Sequence, residues 1–149
     1  MFFIAEVFDQ NIGWWNVSSV TDMDSMFEKA YAFNWDISSW VVSSVTDMDS
    51  MFSQATDFNK DLSSWNVSSA LSMLSMFNWA TSFTSNLSSW NVSSVTDMWF
   101  MFSNASSFNS DLSSWDSKIS GVTNCPSFAF NASLWSLTKP NFTNCTPNY

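Results

Sequence analysis

Met23, Met26, Phe27, Ala30 and Phe33 fall at i, i+3, i+4, i+7 and i+10, the spacing that lines one face of a helix. The signature returns 25 residues later at Met48, Met51, Phe52, Ala55 and Phe58, and again from Met73 and from Met98. This spacing predicts one short helix per unit with its apolar face in the core. Thr21 and Asp24 form a capping box at its start, repeated by Thr46 and Asp49. Asn34, Asn59 and Asn109 follow the last apolar Phe, where a residue tolerant of the left-handed conformation stops a helix in place of Gly. Between these segments lie Ser-rich stretches such as 61–69, with Leu62, Trp65 and Val67 at intervals, which predict short strands and tight turns. One helix and one or two short strands per 25-residue unit make an α/β solenoid.

The repeat governs almost the whole chain. Trp15, Trp40, Trp65, Trp90 and Trp115 form one column, and Phe8, Phe33, Phe58, Phe83 and Phe108 another. Met1, Phe2 and Ala5 fall under Met26, Phe27 and Ala30, so the first residues read as the second half of a unit. That excludes a signal-peptide reading of the same stretch, which also lacks a basic start and carries Glu6 and Asp9. Near the other end the period slips by two residues: Val122 to Cys125 sits 27 after Val95 to Met98. Residues 1–115 are therefore expected to be the solenoid and residues 116–149 a degenerate capping repeat.

Read from Trp90 to Trp115, the string Trp-Asn-Val-Ser-Ser-Val-Thr-Asp-Met-x-x-Met-Phe-x-x-Ala-x-x-Phe-Asn-x-Asp-Leu-Ser-Ser-Trp, taken with little change, closely resembles the repeats of BspA-like leucine-rich-repeat surface proteins, which also occur in mycoplasma surface lipoproteins. The resemblance covers residues 1 to about 115 strongly and the cap weakly. It implies a right-handed, leucine-rich-repeat-like solenoid, extracellular display at the cell surface, and a role in adhesion or surface structure. Val41 in place of Asn, and Ala70-Leu71-Ser72 in place of Val-Thr-Asp, depart from the pattern.

Composition narrows the function further. A formal charge of −9 with four Lys and Arg removes the basic surface that nucleic-acid binding requires. No apolar run is long enough to span a membrane. With no His, Ser-His-Asp and Cys-His catalysis and His-ligated zinc are impossible, and an enzyme is not expected. Asp22, Asp47 and Asp97 form one acidic column and Asp36, Asp61 and Asp111 a second. They read as turn or helix caps, with calcium bridging or a carboxylate dyad as alternatives. No cofactor and no dedicated metal site are expected.

Several residues stand out as candidate sites. Cys125 and Cys145, both in the cap, read as one disulfide worth about 3 kcal/mol in the loop-entropy model, with two reduced core thiols as the alternative. Sequons at Asn16, Asn66, Asn86, Asn91, Asn104, Asn131, Asn141 and Asn144 make N-glycosylation an expectation for a secreted product. The periodic Trp column reads as core. Trp14, Trp35, Trp79 and Trp99 lie off the columns and are the candidates for a contact face, for a glycan or for assembly. Met1, Phe2, Ala5 and Phe8 leave a core surface uncovered at the start of the stack. They nominate it as an assembly interface, for head-to-tail self-association or for neighbouring repeats of the same chain. The expected function is an extracellular structural or adhesive surface protein, secreted or held at the cell surface, assembling into a glycosylated filament. The alternative is a glycan- or protein-binding receptor module of a larger surface protein.

Overall fold

The computed structural model describes residue 2 and residues 4–149. Its architecture is a parallel stack of irregular coils, one per repeat. Asp22 bridges to Asp47, Asp47 to Ser72, Ser72 to Asp97 and Asp97 to Asn124, every bridge parallel. Apart from these isolated bridges, the regular structure among the described residues is one 3-10 turn, Ser113–Trp115. The α/β expectation is thereby overturned. Among the described residues no repeat contains an α-helix and no sheet forms, and the right-handed, leucine-rich-repeat-like α/β solenoid is not the architecture found.

Hydrogen bonding explains why helical spacing makes no helix here. Met26, Glu28, Ala30 and Phe33 donate their N–H groups three residues back, to Met23, Ser25, Phe27 and Ala30. Met23, Ser25, Phe27 and Lys29 instead donate to the carbonyls of Asp47, Asp49, Met51 and Ser53 in the next unit, at 2.8–2.9 Å. An α-helix would send all of them to i−4 within the same segment. The chain forms a run of tight turns, and those turns need left-handed residues. Ser25 and Lys29 have φ of 53° and 58°, and Ser50 with Gln54, Ser75 with Trp79, Phe100 with Asn104 and Ser127 with Asn131 repeat the pair. None is Gly, so each costs about 1 kcal/mol or more. The bonds to the next unit and the burial they permit offset that cost. Such a turn run and a helix both place i, i+3 and i+4 on one side, which is why the pattern misdirects.

The capping details are corrected in the same way. Asp22, not Thr21, accepts the first turn N–H, from Asp24 at 2.9 Å, and Asp47 and Asp97 do the same for Asp49 and Trp99. Thr21 instead gives its carbonyl to Thr46 in the next unit. Asn34, Asn59 and Asn109 stop no helix and have no positive φ. Each uses its side-chain oxygen as a clamp on the following unit: Asn34 accepts from the N–H of Asn59, Asn59 from Thr84, and Asn109 from Ser136 and Leu137.

The Ser-rich stretches are turns rather than strands, and the serines are rungs. From the Ser38-Ser39 pair onward, the second Ser of each pair donates its hydroxyl to a carbonyl 26 residues earlier, as Ser64 does to Ser38, Ser89 to Ser63, Ser69 to Ser43 and Ser94 to Ser68. Small hydroxyl side chains reach a neighbouring coil without crowding it.

Aromatic columns fill the interior. Phe27, Phe52, Phe77 and Phe102 stack at 5.5–5.6 Å between ring centroids, and Phe33, Phe58, Phe83 and Phe108 at 5.9–6.0 Å. Within each unit the two rings stack at 4.1–4.2 Å. All eight are fully buried. Trp40, Trp65, Trp90 and Trp115 are buried beside them, each indole N–H reaching a carbonyl 28 residues earlier, on Ile12, Ile37, Leu62 and Leu87.

Because Phe77 touches a ring in the unit before it, one in the unit after it and one in its own, Phe77→Ala is expected to lower unfolding free energy by about 3–5 kcal/mol. Urea denaturation measures this, and a midpoint unchanged by the substitution would contradict the packing described.

Candidate functional site

The two ends of the stack are where backbone and apolar surface lack the partners they have inside it. At the N-terminal end Phe2 stacks on Phe8 at 3.8 Å and on Phe27 at 5.7 Å, and Phe8 on Phe33 at 5.7 Å. These rings extend both columns, and with Ala5 they are only partly buried. Met1, nominated with them, lies outside the described residues. Beside them an apolar cavity of about 220 Å³ is lined by Trp15, Val17, Val20, Met23 and Met26 among others. Along it the N–H groups of Thr21 and Asp22 and the carbonyls of Asp22 and Asp24 make no hydrogen bond among the described residues, whereas their equivalents at 46, 47 and 49 are paired. The Trp15 indole N–H likewise lacks the acceptor that every later Trp in its column has.

At the other end the packing turns. Phe128 meets Phe102 at 80° and Trp135 meets Phe108 at 87°, and Phe142 covers Phe128 edge-on. Cys125, in the core position of Met98, is bonded to Cys145 with Cα atoms 5.8 Å apart, as expected from the cap cysteines. The disulfide holds the last segment over the closing rings. Even so, the N–H groups of Cys125, Ser127, Ala129 and Asn131 have no acceptor among the described residues, while those of Met98, Phe100, Phe102 and Asn104 all donate to the following unit. Phe130, Leu134, Leu137 and Tyr149 are exposed there.

The off-column tryptophans are all exposed: Trp14 at 79%, Trp35 at 39%, Trp79 at 50% and Trp99 at 40%. They do not form one cluster of contacting rings, since Trp14 packs on Trp15 and Trp99 on Phe100. Trp35 lines an open groove of about 670 Å³ with Asp9, Asn34, Asp57 and Lys60 among others. Most of the lining falls in shared repeat columns, Asp9 with Asn34, Trp35 with Lys60 and Ala32 with Asp57 and Ser82, but no sequence signal marks these columns as the walls of a groove.

Of the sequon asparagines, Asn16, Asn66, Asn86, Asn91, Asn131, Asn141 and Asn144 are exposed and Asn104 is partly buried. Asn16, Asn66, Asn86 and Asn91 accept the N–H two residues on through Oδ1, which leaves Nδ2 unbonded. In Asn104, Asn131 and Asn144 the Nδ2 is itself a donor, to Ser103, Asn104 and Ser120.

The acidic columns serve turns. Asp36, Asp61 and Asp111 accept the N–H groups of Ser38, Ser63 and Ser113, and these bonds hold their carboxyls below the ordinary value. Neutral residues interrupt both columns: Ser72 stands between Asp47 and Asp97, and Asn86 between Asp61 and Asp111. Among the described residues no three His, Cys, Asp or Glu side chains group to hold a metal ion. Asp49 behaves differently, because partial burial raises its pKa against the opposing hydrogen bonds from Ser72 and Leu74.

A carboxyl whose folded pKa is raised costs stability once pH exceeds the unfolded value, and costs nothing below it. Asp49→Asn keeps an acceptor oxygen for Ser72 and Leu74, so it should raise the urea midpoint at pH 7. The gain should vanish as pH falls below 3.8, where the carboxyl is protonated in both states. A variant less stable than the parent at pH 7 would show that the charge itself is needed.

No helix among the described residues is long and apolar enough to cross a membrane. No curated protein and no solved structure matches the chain significantly. A family model described as "Mycoplasma protein of unknown function, DUF285" matches residues 1–83 and again residues 38–138. Two overlapping matches from one model are what a multi-unit repeat produces, and together they run through every complete coil. The chain belongs to this DUF285 family.

Proposed function

We propose that this protein is an extracellular structural and adhesive surface module whose stacks associate end to end. The observation that carries the reading is the pairing potential of the two ends. One offers the carbonyls of Asp22 and Asp24, the other the N–H groups of Cys125 and Ser127, at the repeat positions that bond Met23 to Asp47 and Ser25 to Asp49 inside the stack. Exposed apolar side chains also gather in the terminal units: Ile4, Val7 and Trp14 at one end, Phe130, Leu134 and Leu137 at the other. Covering a few hundred Å² of such surface at about 25 cal/mol per Å² gives several kcal/mol. That is comparable with the lower part of the roughly 4–15 kcal/mol that association costs. The two ends differ, so the contact is heterologous and builds an open filament.

Display outside the cell is supported by the Cys125–Cys145 disulfide, a bond that persists in oxidising surroundings, and by the resemblance of the repeats to BspA-like surface proteins. An enzymatic role has little to stand on in a chain without His whose acids cap turns. Glycans on Asn16, Asn66 and Asn91, which share one repeat column, would sheathe one side of the stack without touching its ends. The free Nδ2 atoms there suit attachment.

Sedimentation velocity of the purified chain should show concentration-dependent association at micromolar concentration, and Val20→Asp, which charges the N-terminal cavity, should return it to monomer. A monodisperse wild-type monomer would defeat the filament, as would a longer polypeptide whose own repeats fill that face. Glycosidase treatment of the native protein should lower its mass, and no change would remove the glycan sheath from the account.

A further inference from the structure

The groove at Trp35 runs along the stack from the first unit, at Asp9, to the fourth, at Ser82, and supports an inference beyond assembly. Its walls come from four successive units: Asp9 from the first, Asn34 and Trp35 from the second, Asp57 and Lys60 from the third, and Ser82 from the fourth. At about 670 Å³ it falls within the roughly 300–1,000 Å³ of small-molecule sites. Trp35 occupies a repeat position held elsewhere by Gln10, Lys60, Ser85 and Ser110, so the fold does not require an aromatic ring there. Its ring touches no other aromatic ring, and its indole N–H has no acceptor among the described residues, unlike that of Trp14, which donates to Asn11.

The polar groups around the ring keep donors and acceptors to spare, although the Lys60 charge also acts on the Asp36 carboxylate. The carboxylate of Asp57 and the ammonium of Lys60 make no hydrogen bond or ion pair among the described residues, whereas Lys118 and Lys139 each donate to a carbonyl. Asn34 uses its side-chain oxygen on Asn59 and keeps its amide N–H groups free. The groove therefore combines a flat apolar face with carboxylate acceptors, an amide donor and an ammonium donor. A pyranose ring presents the complement, an apolar C–H face bordered by hydroxyls that both donate and accept. A peptide anchor would find little to bury against, since Ala32 and Trp35 are the apolar residues of the lining.

We infer that this groove binds a neutral saccharide, one sugar ring stacked on Trp35 with its hydroxyls bonded to Asp57, Lys60 and Asn34. Charge sets the class. Asp9, Asp36 and Asp57 outnumber Lys60 on a chain of charge −9, so sialylated and sulfated sugars are repelled.

The test is titration of the full chain with chitotriose, maltotriose and N-acetyllactosamine, beside 3′-sialyllactose, followed by saturation-transfer NMR and calorimetry. At least one neutral sugar should bind with Kd on the order of 1 mM, and the sialylated one more weakly. Trp35→Ala should weaken that binding about tenfold or more. Asp57→Asn, which breaks no hydrogen bond of the fold, should weaken it several-fold, and Trp79→Ala should leave it unchanged. Absence of neutral-sugar binding at about 10 mM, tighter binding of the sialylated sugar, or full affinity in Trp35→Ala would each overturn the inference. End-to-end association, measured by sedimentation, is unaffected by either groove substitution, so failure of one reading leaves the other standing.

Discussion

Everything in this molecule depends on backbone hydrogen bonds that leave one coil for the next. Met23, Ser25, Phe27 and Lys29 donate forward to the following unit, while Thr46, Leu71, Thr96 and Thr123 donate back to Thr21, Thr46, Leu71 and Thr96. A single coil has almost no regular structure of its own, and its left-handed turn residues cost energy in isolation. Stability is thus a property of neighbours. The aromatic columns, the serine rungs and the Asn clamps repeat the same arrangement in side chains, each tying a residue to its counterpart about 25 positions away. Such an arrangement behaves as a one-dimensional array whose ends are unlike its middle.

The repeat and its core were legible in the sequence, because burial obeys period whatever the backbone does. Phe27, Phe33, Ala30 and Trp40 are inside for the reason their 25-residue recurrence suggests, and Cys125 takes the place of a core Met. The secondary structure was not legible. Met23, Met26, Phe27 and Ala30 satisfy helical spacing equally well when the chain makes successive tight turns with Ser25 and Lys29 left-handed. With no Gly at those positions, the usual mark of a positive φ is missing, and Asp22 and Asn34 resemble helix caps while serving turns and neighbouring coils. The Ser pairs were similarly opaque: polar stretches between apolar residues read as solvent-facing turns, yet their hydroxyls bond across units.

Candidate functional residues followed the same division. The exposed Trp14, Trp35, Trp79 and Trp99 could be singled out because no column demands them, but their surroundings could not be read. The Trp35 groove sets Asp9 beside Asn34 and Trp35 beside Lys60, as the 25-residue period implies, but which columns meet across the groove is fixed by how each coil turns. In the same way the acidic columns look like metal or dyad sites in a linear alignment of units. Side-chain hydrogen bonds to Ser38, Ser63 and Ser113 and the intervening Ser72 and Asn86 turn them into local caps. A stack built this way can vary one exposed position per unit without disturbing the bonds that hold units together.

The central claim is that each unit is bonded to its neighbours rather than folded on itself as a helix. Amide hydrogen exchange measured residue by residue across 73–83 tests it most directly. The account predicts slow exchange at Ser75, Phe77 and Trp79, whose N–H groups bond to Trp99, Met101 and Ser103, with that protection lost when the following unit is destabilised by Phe102→Ala. Continuous protection through 73–83 that survives Phe102→Ala, with the far-ultraviolet signature of helix, would contradict it.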